Sequence, residues 1–188
     1  MSTTEAIEPP VESEPAGILR WVPVVGVVLL LGGVARFAAA PLADPDVWWH
    51  LRLGRDFWEG RSLQAPGSLG SFSTAEWVPT QWLTEMVAAK FEAWFGLPGV
   101  AWLFGFTLMI LVVSVYAVCR AEASPVAAAL VTAVAFLGMS GSLTPRPHML
   151  SYIFLTITVG AWLRTTRDLK PRWWLIAVAW LWAYSHGM

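Results

Sequence analysis

Two carboxylates and an imidazole stand together in ADPDVWWHLRLGRDF (residues 43–57): Asp44, Asp46 and His50. A carboxylate one helical turn from an imidazole is suited to proton transfer, because one group can take a proton while the other orients it. Further along, TPRPH (144–148) supplies Arg146 and His148, a guanidinium fork that matches phosphate geometry beside a second imidazole. His186 follows in SHG, and Gln81 and Glu85 in TQWLTE add an amide and another carboxylate.

Each of them also has a plain structural use. Asp44 or Asp46 can cap a helix by accepting from the open amides of its first turn. His50, His148 and His186 can be packed side chains, Arg146 a headgroup anchor, and Gln81 and Glu85 the wet face of a surface helix. What decides between these uses is the set of elements that positions the residues.

The chain is 56% hydrophobic and only 13% charged, and its mean hydropathy is +0.57. Soluble domains carry about 25% charged residues, so the composition points to an integral membrane protein. A net charge of −1 with no basic tract argues against a nucleic-acid partner. The single cysteine, Cys119, rules out an intrachain disulfide or a Cys-rich metal site.

An all-α polytopic architecture follows from the uncharged windows, since roughly 20 residues of helix cross about 30 Å of hydrocarbon. Residues 1–16, with four glutamates and three prolines, are expected to be a disordered acidic tail. About five spans follow, at 17–40, 97–119, 123–141, 147–163 and 172–188. The last stops inside an apolar run, which is expected of the N-terminal piece of a longer protein. Only Arg20 precedes the first apolar run, a weak n-region for a secretory signal, although ARFAAAPLA resembles a cleavage site.

Orientation is read from Lys and Arg near the span ends. With the N-terminus cytoplasmic, Arg164, Arg167, Lys170 and Arg172 fall in one short inner loop, whereas the outer cations are spread through a long acidic segment. Residues 41–96 then form an extracytoplasmic loop of the inner (plasma) membrane. Two tryptophan-rich amphipathic helices are expected in it, lying in the headgroup layer. The first starts at Asp44 or Asp46 and runs to about Glu59, with Val47, Leu51 and Trp58 on its apolar side. The second runs from Pro79 to Gly96, with Gln81, Glu85 and Glu92 on its polar stripe and Trp82, Met86, Ala89 and Ala93 on its apolar one. This topology brings Asp46, His50, Arg146, His148 and His186 to one side of the bilayer.

An inner N-terminus followed by an outer loop with an acidic motif and two interfacial helices resembles the GT-C superfamily of membrane glycosyltransferases. More closely, DPDVWWHLRLG, EWVPTQWLTE, TPRPHML and the final SHG look like a group of large bacterial membrane proteins assigned to that superfamily by analogy, and the likeness runs through residues 21–188. The resemblance implies an inverting transferase of the bacterial cell envelope that moves a sugar from a polyprenyl-phosphate donor to an outer-face acceptor. It implies Asp46 as base, with Asp44 the alternative, and His50 orienting that carboxylate or touching sugar hydroxyls. It gives Arg146, His148 and His186 to the lipid phosphate. No cofactor is expected, and the spacing demands no metal, although some relatives use a divalent ion that could join Asp44, Asp46 and a histidine. The expected partners are the lipid-linked sugar, membrane lipids and a further membrane protein or C-terminal portion. The alternative is a non-catalytic membrane subunit or assembly factor whose tryptophan-rich loop binds a partner or lipid.

Overall fold

The computed structural model describes residues 17, 21–38, 42, 44–65, 69–72, 74–76 and 78–187. The acidic tail 1–16 and most of the cleavage-like stretch after Ala38 lie outside these residues. The described chain is helical and forms no strand: α1 (Val22–Ala38), α2 (Asp46–Trp58), α3 (Trp82–Arg120), α4 (Pro125–Met139) with a 3-10 turn (Ser140–Ser142), α5 (His148–Asp168) and α6 (Leu175–His186).

Helix α3 is the hub, and every other helix packs on it. It is two limbs joined at a break. Gly96 has φ 67° and ψ −165°, a conformation that glycine adopts without a Cβ penalty. Pro98 then falls in the first turn of the second limb, where its missing N–H has no intrahelical partner to lose. The backbone therefore breaks at Gly96, next to the residue where the second apolar window is expected to begin.

Among the described residues two helices are long and apolar enough to cross a membrane: α3, with 39 residues, and the run Pro125–Ser142, with 18. Most of each window is exposed, the reverse of a soluble core helix. Trp102, Phe106, Ile110 and Val113 on α3, and Leu130, Val131, Val134 and Leu137 on α4, point outward.

Some boundaries move. The second loop helix begins at Trp82, not Pro79, because the Thr80 carbonyl accepts the Gly187 amide at 2.7 Å and the chain is still non-helical at Gln81. The helix expected over 172–188 spans only Leu175–His186, after Pro171 and two turn residues. The helix expected over 147–163 runs on to Asp168, where Leu169 ends it in the left-handed region.

Helix α2 lies on the first limb of α3 and buries Val47, Leu51, Leu53, Gly54 and Phe57. Burying a Val or Leu side chain contributes about 1.5–3 kcal/mol, so this face holds α2 in place. Trp58, expected on the apolar side, is instead exposed; its indole N–H donates to the Met86 carbonyl at 2.8 Å and Lys90 lies over its ring. A core of Val47, Leu51, Ala88, Val100, Phe104, Leu108 and Met149 ties α2, both limbs of α3 and α5 together. One end of the bundle therefore gathers the start of α2, the first limb of α3, the start of α5 and the end of α6.

Candidate functional site

At that end Asp44, Asp46 and Arg146 form one ionic unit. Asp44 precedes Pro45 and α2, and its Oδ1 accepts the Asp46 amide at 3.0 Å, which fixes the carboxylate at the helix start. The cap position itself falls on Pro45, which has no side-chain cap, so Asp44 holds the helix start through a two-residue turn. The same carboxylate also receives Arg146, with Nε to Oδ2 at 2.6 Å and Nη2 to Oδ1 at 2.9 Å. The third guanidinium nitrogen, Nη1, is 2.7 Å from Oδ2 of Asp46. Pro145 and Pro147 stiffen the backbone on both sides of Arg146.

The three differ in access. The Asp44 side chain is 7% exposed, Arg146 39% and Asp46 42%. The bidentate Arg146 guanidinium holds the Asp44 carboxyl below the usual carboxylate range against the opposing effect of burial, with the Asp46 amide and Thr144 hydroxyl adding to it. In return Asp44 raises the proton affinity of Arg146 further. Asp44 is an anchor, and Asp46 is the carboxylate that solvent can reach.

One turn along α2, His50 Nδ1 is 2.9 Å from Oε1 of Glu85 on α3. Glu85 was expected on a wet stripe. It is 2% exposed, because α2 lies across that face of α3 and covers it. The approach is close: a Cβ added to Gly54 would sit 2.0 Å from the Glu85 carbonyl oxygen and 2.8 Å from Ala89 Cβ. His50 and Gly54, four residues apart on α2, thus face Glu85 and Ala89, four residues apart on α3. Ala89 is buried as expected of the apolar stripe, whereas Ala93 is exposed.

The other two imidazoles meet between α5 and α6. His148 Nε2 donates to the Ser142 carbonyl at 2.6 Å, and its ring stands 6.3 Å from that of His186, edge to face. His186 Nδ1 is 2.8 Å from the Ser151 hydroxyl, which also accepts the Trp182 indole N–H at 2.8 Å. His186 is within electrostatic reach of both His148 and His50. The end of α6 docks on the start of α3 through Thr84 Oγ1 to the Ser185 carbonyl, 2.8 Å, and Gly187 N to the Thr80 carbonyl, 2.7 Å.

Of the residues singled out, Asp44, Asp46 and Arg146 are in direct contact, His50 is joined to Glu85, and His148 neighbours His186. Gln81 stands at the start of α3, its carbonyl accepting the Glu85 amide at 3.1 Å, and it is half-buried. Gly54, Ser151, Trp182 and Thr84 were not singled out. Gly54 had a legible signal, its spacing of four from His50, but Ser151, Trp182 and Thr84 carry none beyond their residue types. Among the described residues no group of three or more His, Cys, Asp or Glu side chains is arranged to hold a metal ion.

The arrangement can do two things chemically: present an exposed guanidinium edge to an anion, and accept a proton beside it. No family model, curated protein or solved structure matches the chain.

Proposed function

We propose that this chain carries the catalytic end of a GT-C-like membrane glycosyltransferase that moves a sugar from a polyprenyl-phosphate donor to an outer-face acceptor, with inversion. The observation that carries it is the state of Arg146. Three of its five N–H donors are spent on Asp44 and Asp46, two remain, and its side chain is 39% exposed at the end of the bundle that also holds three histidines. A guanidinium already fixed by a buried carboxylate loses little freedom on gripping a phosphate, which favours binding. Asp46, the accessible carboxylate, is the candidate base that the resemblance supplies. His148 and His186 are the imidazoles that the resemblance assigns to the donor's phosphate.

The same reading takes α1, the second limb of α3, α4, α5 and α6 as five crossings with a cytoplasmic N-terminus. It lays α2 and the first limb of α3 in the extracytoplasmic headgroup layer. Helix α6, at 12 residues or about 18 Å, needs local thinning of the bilayer or snorkelling of its flanking residues to cross. The opposite end, with Arg120, Arg164, Arg167, Lys170 and Arg172, suits the cytoplasmic side.

The test is binding of undecaprenyl phosphate by the chain in lipid nanodiscs, with undecaprenol as the control that lacks the charge. Undecaprenyl phosphate should bind and undecaprenol should not. R146K, which keeps the charge but loses the fork, should weaken binding roughly tenfold. Equal binding of both lipids, or none of either, defeats the proposal.

A second reading is favoured by Trp48 and Trp49, which are about half-exposed on α2 beside the site. They suit a non-catalytic subunit that docks a membrane partner or lipid. In that case W48A/W49A abolishes partner capture while D46N and R146K leave it intact.

A further inference from the structure

The same end of the bundle holds a second proton acceptor, distinct from Asp46. Glu85 is 2% exposed, one of its oxygens meets His50 Nδ1 at 2.9 Å, and the other, Oε2, has no hydrogen-bond partner among the described residues. A buried carboxylate with an unmatched oxygen is costly to keep, and an apolar side chain of the same size would fill the space without that cost. What the carboxylate supplies is orientation. Because it accepts from Nδ1, the neutral His50 ring carries its hydrogen there and leaves the lone pair on Nε2. His50 is 16% exposed, and no hydrogen bond to its Nε2 forms among the described residues. Gly54 enforces the geometry, since any side chain there would push α2 off the Glu85 backbone. Asp46, by contrast, already spends Oδ2 on Arg146.

We propose that His50 and Glu85 form a carboxylate–imidazole dyad, and that Nε2 of His50 rather than Asp46 is the general base of the transfer. The proposal rests on the transferase reading for its substrate. The acceptor's O–H proton passes to Nε2 as its oxygen bonds to the anomeric carbon. The bond from that carbon to the lipid-phosphate oxygen breaks, and its electron pair leaves on the phosphate beside Arg146. His50, now an imidazolium, is held against the Glu85 carboxylate until water removes the proton. Glu85 is a positioning residue, and Asp46 remains the second counter-ion of Arg146. The titratable groups around His50 are Asp46 on its own helix, Glu85 on α3 and His186 on α6.

The chain has three histidines, so 15N-histidine labelling in nanodiscs gives three imidazoles to assign. The neutral His50 ring should carry its hydrogen on Nδ1 and the lone pair on Nε2, and E85M should abolish that preference while the helices stay folded. A reversed tautomer, or a doubly protonated ring marking a buried ion pair that only staples α2 to α3, overturns the dyad. Diethyl pyrocarbonate should modify His50 on Nε2, and E85M should slow the modification roughly tenfold; an unchanged rate counts against Glu85 as the orienting group. With a panel of undecaprenyl-phosphate hexoses and pentoses, H50Q should lower transfer a hundredfold or more, about what a general base contributes, while undecaprenyl phosphate still binds. Full transfer by H50Q overturns His50 as the base. Failure of the wild-type chain to bind undecaprenyl phosphate overturns the transferase reading and the transfer step with it, and the tautomer and modification rates still decide the dyad.

Discussion

Both polar ends of the bundle pair carboxylates with cations, but hold them in different ways. At one end Asp44 meets Arg146 across 102 residues and His50 meets Glu85 across 35, and in both pairs the carboxylate is buried. At the other, Glu122 pairs with Arg167, and Asp168 with Arg172 one turn later, all near the surface. Charges in water gain little from pairing, whereas a buried carboxylate loses its hydration and depends on its partner. The first end is therefore a constructed site whose parts need one another, and the second is a solvated rim that tolerates change.

That contrast is broken most directly by removing Arg146. R146L strands the Asp44 carboxylate, and because Arg146 is itself partly exposed the expected loss is about 3 kcal/mol, at the low end for a broken buried pair. Reversible unfolding in detergent micelles would measure it. A loss below about 1 kcal/mol would make the two ends alike.

G54A comes next. A Cβ 2.0 Å from a backbone oxygen cannot be relieved by a rotamer change, so α2 must move, at an expected cost of about 2 kcal/mol. The matched control is G160A on α5, where the Cβ would meet a side-chain methyl of Val118 at 2.8 Å and not a backbone atom. G54A should also disturb the His50 imidazole resonances, whereas G160A should leave them in place.

Acid sharpens the comparison by a smaller amount. The Asp44 carboxyl titrates below its unfolded value of about 3.9, so it binds fewer protons folded than unfolded, and its pairing adds stability above about pH 4. That contribution should fall away as pH drops through the folded value. An unfolding midpoint followed from pH 6 to pH 3 should decline in the wild-type chain and decline less in D44N. The smallest effect is expected at the rim, where R167Q should cost less than about 1 kcal/mol in the same assay. A larger loss there would mean that the rim, too, is structural.

Orientation can be tested apart from stability. With Cys119 replaced by serine, a cysteine at Gln64 should react with a membrane-impermeant maleimide in intact cells if α2 and its loop lie outside. Labelling only after lysis reverses the sides assigned to the two ends.

Much of the helical framework was legible because it depends on local physics. The run after Gly96, the proline-led start of α5, and the burial of Val47 and Leu51 on one face of α2 all follow from periodicity and from what glycine and proline allow. Glu85 shows where local pattern fails. On its own helix it reads as one of a polar stripe with Gln81 and Glu92, and only the arrival of α2 turns that stripe inward. Trp58 errs the other way, apolar by type yet left outside because its indole N–H reaches the Met86 carbonyl and its ring carries Lys90.

The amino-acid order alone determined that the chain is helical and carries membrane-length apolar segments, and that acid, imidazole and guanidinium fall near helix ends. Hydropathy and helix period depend on neighbours within a turn or two, so they can be read along the chain. Which carboxylate is buried, which is reachable, and that His50 faces Glu85 while Arg146 bridges Asp44 and Asp46 were decided only when α2 and α5 packed on α3. Those pairings join residues 35 to 102 positions apart, and the desolvation that gives them their chemistry exists only after the helices close over them.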